Sequence, residues 1–218
     1  MLIQSYAPAQ TAGTDTSAVD VAGTADSSGR STSGGSTAVT PEYQPMTASE
    51  RARKYLIGAF GPLAILRAAA AGGIAQWTET PKEWRVGPQA YGDRFGNAFA
   101  KHVMREALEY GASAALHEDN RYFRSGKSGF GNRLVYALTS TVLARHDDGD
   151  RYVSASRLLS YAAAASLSRL WQPPSTSRLA NAGRVFGITL GVEAGFNVAR
   201  EFFPMIFHSH APVAEPQP

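Results

Sequence analysis

The stretch that decides the fold is Gly183-Arg184-Val185-Phe186-Gly187-Ile188-Thr189-Leu190-Gly191-Val192-Glu193-Ala194-Gly195-Phe196-Asn197-Val198-Ala199, where a glycine or alanine recurs every fourth residue. Positions four apart lie almost one above another on an α-helix, drifting by about 40° per step. The row is therefore a groove with no side chain larger than one methyl. Each glycine costs a water-exposed helix about 1 kcal/mol relative to alanine, so four in register need a compensating contact. Close approach of another helix, as in small-xxx-small membrane interfaces, supplies one. On the same helix Thr189, Glu193, Asn197 and Glu201 form a polar row away from the glycines. That suits a helix lying at an interface or lining a polar interior.

Similar rows stand upstream: Ser156, Ser160, Ala164 and Ser168; Ala107, Gly111 and Ala115; Ala64, Ala68 and Gly72. Gly183, Gly187, Gly191 and Gly195 are accordingly assigned to helix packing, with Ser156, Ser160 and Ala164 as the expected partner row. The fold class is all-α, with about five helices. A capping box, Thr47-Ala48-Ser49-Glu50, opens the first, which runs to about Gln76 with a kink at Pro62. The second spans about Ala90 to His117 and the third about Asn132 to Arg145. A tight turn at His146-Asp147-Asp148-Gly149-Asp150 precedes a fourth helix, about Val153 to Trp171. Pro173-Pro174 separates it from the fifth, about Ser177 to Phe203, which Pro204 stops. A β-barrel is the alternative suggested by the Asp-Asp-Gly-Asp turn and the glycine content. The helical spacing of Leu134, Leu138, Thr141, Val142 and Arg145 and the run Ala162 to Ala165 argue against it.

The chain has 218 residues, a net charge of +3 and no cysteine. Disulfide frameworks, thiolate catalysis and cysteine-bound zinc are excluded. Charged residues make up 18% of the chain, below the usual quarter or so. Residues 1–45 differ from the rest: 29 of the 45 are Ser, Thr, Gly, Ala or Pro, and one arginine faces four acidic residues. That segment carries −3, which leaves +6 on residues 46–218. With so little apolar surface it is expected to be a disordered spacer. The helical domain is expected at 46–204 and a loose Pro-rich tail, holding His208 and His210, at 205–218. Ala7-Pro8-Ala9 has the small-x-small form of a signal-peptidase site, but no apolar stretch precedes it. The match is either chance or the junction of a longer signal peptide.

Low charge, apolar segments flanked by Arg and Trp, and the glycine rows together point to a membrane or membrane-associated protein. Against a simple spanning hairpin, no stretch reaches about 20 uncharged apolar residues; Arg67 and Glu193 interrupt the best two. Such charges must face a partner or water. A tightly packed soluble Ala-rich bundle is the competing reading.

Three groupings bear on chemistry. His102, Glu106 and Glu109 lie on one helical face and could ligate a metal, but no second helix offers a matching Glu-x-x-His. A solvated face is expected there, with no cofactor. Arg121, Arg124, Lys127 and Arg133, beside Tyr122 and Phe123, form a basic loop suited to lipid headgroups or an anionic partner, or to internal salt bridges. Gly126-Lys127-Ser128 mimics the end of a phosphate loop, but Arg121 stands where its first glycine belongs. Nucleic acid is not an expected partner, because the +6 is dispersed. No Ser/His/Asp triad order is identifiable.

Glu118-Asp119-Asn120-Arg121-Tyr122-Phe123-Arg124, Trp171-Gln172-Pro173-Pro174, the glycine row and Asn197 to Pro204 together resemble a group of uncharacterised bacterial envelope proteins. The resemblance covers roughly residues 50–206. It implies an envelope setting and carries no catalytic residues. The expected function is a non-enzymatic structural or lipid-interacting protein of the bacterial envelope, bound to membrane lipid or to itself as a homo-oligomer. A small helical-bundle enzyme or ligand-binding protein using the His/Glu face is the alternative.

Overall fold

The computed structural model describes residues 42–207 and 209–213. They are mostly helical: α1 Ala48–Phe60, α2 Pro62–Trp77, α3 Pro88–Ala115, α4 Phe130–Thr139, α5 Ala155–Leu167 and α6 Leu179–Phe202, with one hairpin, β1 Leu143–Arg145 and β2 Arg151–Val153. The barrel alternative is thereby overturned. The spacer predicted for residues 1–45 lies outside the described residues up to position 41. Its last part is held: the Tyr43 hydroxyl donates to Asp119 at 3.2 Å, and Arg121 donates to the Gln44 carbonyl at 2.9 Å.

The Thr47 box forms as read. The Glu50 amide donates to Thr47 Oγ1 and the Thr47 amide to Glu50 Oε2. Pro62 does more than kink the first helix. Gly61 is extended (φ −68°, ψ 167°), and Pro62 starts a new helix at a position where its missing N–H costs nothing. α3 is the centre of the bundle, packed on α2, α5 and α1; α6 lies against α5 and α4. α2 comes close to the α3 backbone along its small row: Ala64, Ala68 and Gly72 are buried, and a Cβ on Gly72 would stand 3.1 Å from the Phe95 backbone.

The third helix is shorter than its spacing suggests. α4 ends at Thr139, and Leu143–Arg145 is a strand paired with Arg151–Val153 in the register Leu143↔Val153, Ala144↔Tyr152, Arg145↔Arg151. The Thr139 and Ser140 hydroxyls both donate to the Tyr136 carbonyl, in competition with the helix ladder. The β-branched Thr141 and Val142 follow and favour extended backbone. The predicted tight turn closes this hairpin with Gly149 at φ 86°. Asp119 bridges the other edge of β1 through both of its backbone groups. The C-terminal segment expected to be loose is tied down where described: His210 exchanges backbone hydrogen bonds with Tyr122 and Arg124.

The interior is unusual in kind. Of the fourteen buried apolar residues among those described, nine are alanine and none is Leu, Ile or Val. Fourteen polar or charged residues are equally buried, including Arg94, Glu118, Asp119, Arg145, Arg157 and Glu201. The large aliphatics Leu56, Ile57, Ile65, Leu66, Ile74, Leu159 and Ile188 face outward. This reverses the arrangement water imposes on a soluble bundle.

Gly72→Leu is expected to lower stability by about 1–3 kcal/mol through overpacking against α3. Gly73→Ala, where nothing stands within 4 Å, should be neutral or stabilise by up to about 1 kcal/mol. Thermal unfolding of the two variants distinguishes them; equal midpoints would refute the close α2–α3 contact.

Candidate functional site: the polar interior

The buried polar groups form connected clusters. Glu118 follows α3 and turns its carboxylate onto the start of α5. It accepts from the amides of Ala155 and Ser156, both at 3.0 Å, and from the Ser154 and Ser156 hydroxyls at 2.9 and 2.5 Å. A carboxylate at a helix N-terminus satisfies orphan amides and complements the helix dipole. Asn120 joins the same cluster through Ser154 and Ser156. Arg157 reaches back from α5 to the carbonyls of Ser140, Thr141 and Asn120. The loop after α3, the connection from α4 to β1 and the start of α5 thus meet at one polar node.

Asp119 accepts from the Arg121 amide at 2.9 Å and the Arg121 guanidinium at 2.7 Å. Burial opposes ionisation of this carboxyl, but the Arg121 bonds and charge outweigh it and hold it below the usual carboxylate range. A second node surrounds Glu201, near the end of α6. It accepts from Tyr122 at 3.0 Å, from the Ser125 hydroxyl at 2.6 Å and from Arg133 at 2.9 Å. Burial, and then the Glu201 charge, raise the Tyr122 phenol above its ordinary value.

The four basic loop residues therefore divide. Arg121 and Arg133 are committed to internal carboxylates, Asp119 and Glu201. Lys127 is exposed, with its ammonium 5.6 Å from the Tyr136 ring centroid. Arg124 has a buried Nε with no partner among the described residues.

His102, Glu106 and Glu109 do not form the solvated face expected of them: His102 reaches α1, Glu106 pairs with its neighbour Arg105, and Glu109 lies near Arg157 of α5. His102 Nε2 lies 2.8 Å from the Gly58 carbonyl and its Nδ1 lies 3.2 Å from Arg105. A carbonyl only accepts and an arginine only donates, so the imidazole is neutral with its proton on Nε2. Glu106 pairs with Arg105 at 2.5 Å, and Glu109 stands 3.9 Å from Arg157. Among the described residues no group of three or more His, Asp or Glu is placed to hold a metal.

The polar row of α6 also points inward. Glu193 and Asn197 both accept from Arg200 at 2.8 Å, and Asn197 donates to Thr141 at 3.2 Å. Arg67 lies over the Phe196 ring at 3.7 Å. The glycine row faces the other way: a Cβ at Gly183, Gly187, Gly191 or Gly195 would meet nothing within 4 Å. Ser156, Ser160, Ala164 and Ser168 are buried, so the pairing of these two rows does not occur within the described chain. Comparison with protein-family models, with curated proteins and with solved structures finds no match for this chain.

Asp119 supplies a pH test. Its folded carboxyl ionises at lower pH than the unfolded one, so its contribution is present above the unfolded value of about 4 and is lost as pH falls through the folded one. Asp119→Asn should lower the melting temperature at pH 7 and flatten its decline between about pH 5 and 2. A variant with the wild-type acid profile would remove Asp119 from the account.

Proposed function

We propose that the chain is a non-enzymatic structural or lipid-interacting protein of the bacterial envelope, seated among lipids with a set of paired charges held in its interior. One observation carries the reading: the interior is alanine, serine and paired charge, while Leu, Ile and Val line the outside. In water such a surface is a liability; against hydrocarbon it is the favourable arrangement, because buried charges keep their partners and apolar side chains meet acyl chains. Taken through the break at Gly61, Ala48–Trp77 contains an 18-residue window with a mean hydropathy of 1.5, little of it buried, which is long and apolar enough to cross a membrane. The motif resemblance implies the same setting. The enzyme alternative loses support because His102, Glu106 and Glu109 are already engaged with arginines and backbone.

Self-association belongs to the same proposal. The outward row Gly183, Gly187, Gly191 and Gly195 is flanked by exposed Ile188 and Val192. A smooth groove of this kind admits a neighbouring backbone.

Cells producing the full chain should yield it in the membrane pellet, resistant to carbonate and released by detergent. Recovery in the supernatant without detergent would overturn the proposal. Gly187→Leu combined with Gly191→Leu should leave helix content unchanged, since nothing in the chain approaches these positions, yet weaken self-association roughly tenfold or more. Cross-linking yields equal to wild type would contradict the role of the row.

A further inference from the structure

Where α3 begins, a groove of about 590 Å³ opens between two tryptophans. Its floor is the α3 stripe Gly92, Gly96 and Ala100, with Asp93 and Asn97 beside it; Trp84 and Trp171 complete the lining. Helix packing does not demand the two glycines, because a Cβ on either would meet nothing within 4 Å. Each nevertheless costs the helix about 1 kcal/mol. What their absent side chains leave is open space in the wall they share with the tryptophans.

The walls are fastened independently of any ligand. Arg94, next to Asp93, is fully buried and donates to the carbonyls of Thr80, Pro81 and Arg85, at 2.9, 3.0 and 2.8 Å. It thereby pins the short turn that carries Trp84 to α3. Glu83, adjacent to Trp84, accepts from the Ser175 amide at 3.1 Å and its hydroxyl at 2.6 Å. That joins the Trp84 turn to the segment following Trp171. The Trp171 indole N–H donates to Asn97 at 3.0 Å, setting that ring against α3.

The lining selects a chemistry. Asp93 is its one charged residue, exposed and without a hydrogen bond or ion pair among the described residues. An anion would meet a carboxylate and no counter-charge. A bare metal ion would find a single carboxylate, too few ligands. A sugar needs several donors and acceptors, and the lining offers only Asp93 and Asn97, the latter already accepting from Trp171. Two indoles and one free carboxylate match a positive charge clothed in hydrocarbon. Indole faces attract such cations, and a methylated ammonium gives up less hydration than a bare one.

We infer that this groove binds an alkylated ammonium group, such as trimethylammonium, from a free amine or a zwitterionic lipid headgroup. The inference does not depend on the membrane reading, because a soluble amine tests it in detergent solution. The purified full chain is titrated with tetramethylammonium and choline chlorides, with sodium chloride at equal ionic strength as control, and tryptophan emission is followed. A saturable change with the two ammonium salts alone is expected, and Trp77→Phe should retain it. Asp93→Asn should weaken binding about two- to fivefold, the value of one charge pair at an exposed site. Gly96→Leu, whose Cβ meets nothing within 4 Å and whose side chain fills the floor, should abolish it at a melting temperature equal to or above wild type. Phosphatidylcholine vesicles, compared with phosphatidylglycerol vesicles, then separate the two sources. A response that Gly96→Leu removes identifies the headgroup, and a response to choline alone identifies a soluble amine. No saturable change, or binding indifferent to both substitutions, would overturn the site.

Discussion

An ionised side chain taken out of water must find fixed partners, and the arrangement of this bundle follows from that requirement. Glu118 is the clearest case. Its carboxylate is 2% exposed and is met by two amides and two hydroxyls at the start of α5. Removing one member of such a cluster strands the others, at a cost of several kcal/mol. The hairpin, the α3–α5 connection and the end of α4 are consequently tied together by polar bonds where most proteins would use leucine. Glu201 plays the same part for α6, tying it to Tyr122, Ser125 and Arg133.

Polar bonding of this kind works only if the helices come close, and alanine permits that. Ala64, Ala68 and Gly72 bring α2 against α3, and Ser156, Ser160 and Ala164 give α5 a similarly thin buried face. With little aliphatic volume inside, the large side chains are displaced outward. The inverted surface and the small-residue rows are therefore two consequences of one packing rule. The ammonium groove uses the same stripe logic at the open end of α3, with Gly92 and Gly96 left uncovered by any helix.

Much of the helix layout was legible in local sequence. The Thr47 box, Pro173-Pro174 and Pro204 mark ends by chemistry that depends on near neighbours, and the structure places boundaries close to each; Pro62, read as a kink, instead opens a separate helix. The hairpin was missed because Leu134 to Arg145 keeps helical spacing while the hydroxyls of Thr139 and Ser140 end the helix first. The direction of each face was less legible. A polar row and a glycine row on α6 define two sides, but the spacing alone does not say which side is inside. Partners such as Thr141 and the α4 residue Arg133, distant in sequence, decide it. For the same reason the sequence leaves open whether Arg121 and Arg133 meet an outside anion or internal carboxylates, and the structure pairs them with Asp119 and Glu201. Trp84 and Trp171 are 87 positions apart, and the contacts that join their segments, Glu83 with Ser175 and Asn97 with Trp171, are long-range.

The outside of this bundle is proposed to be solvated by hydrocarbon. Spin labels at Leu66, Ile188 and Val192, in the full chain reconstituted into bilayers, test it most directly by collision with oxygen and with a water-soluble nickel chelate. The account predicts high oxygen and low nickel accessibility at all three, with the reverse at exposed loop position Asp148. Nickel accessibility at Leu66 and Ile188 equal to that at Asp148 would contradict it.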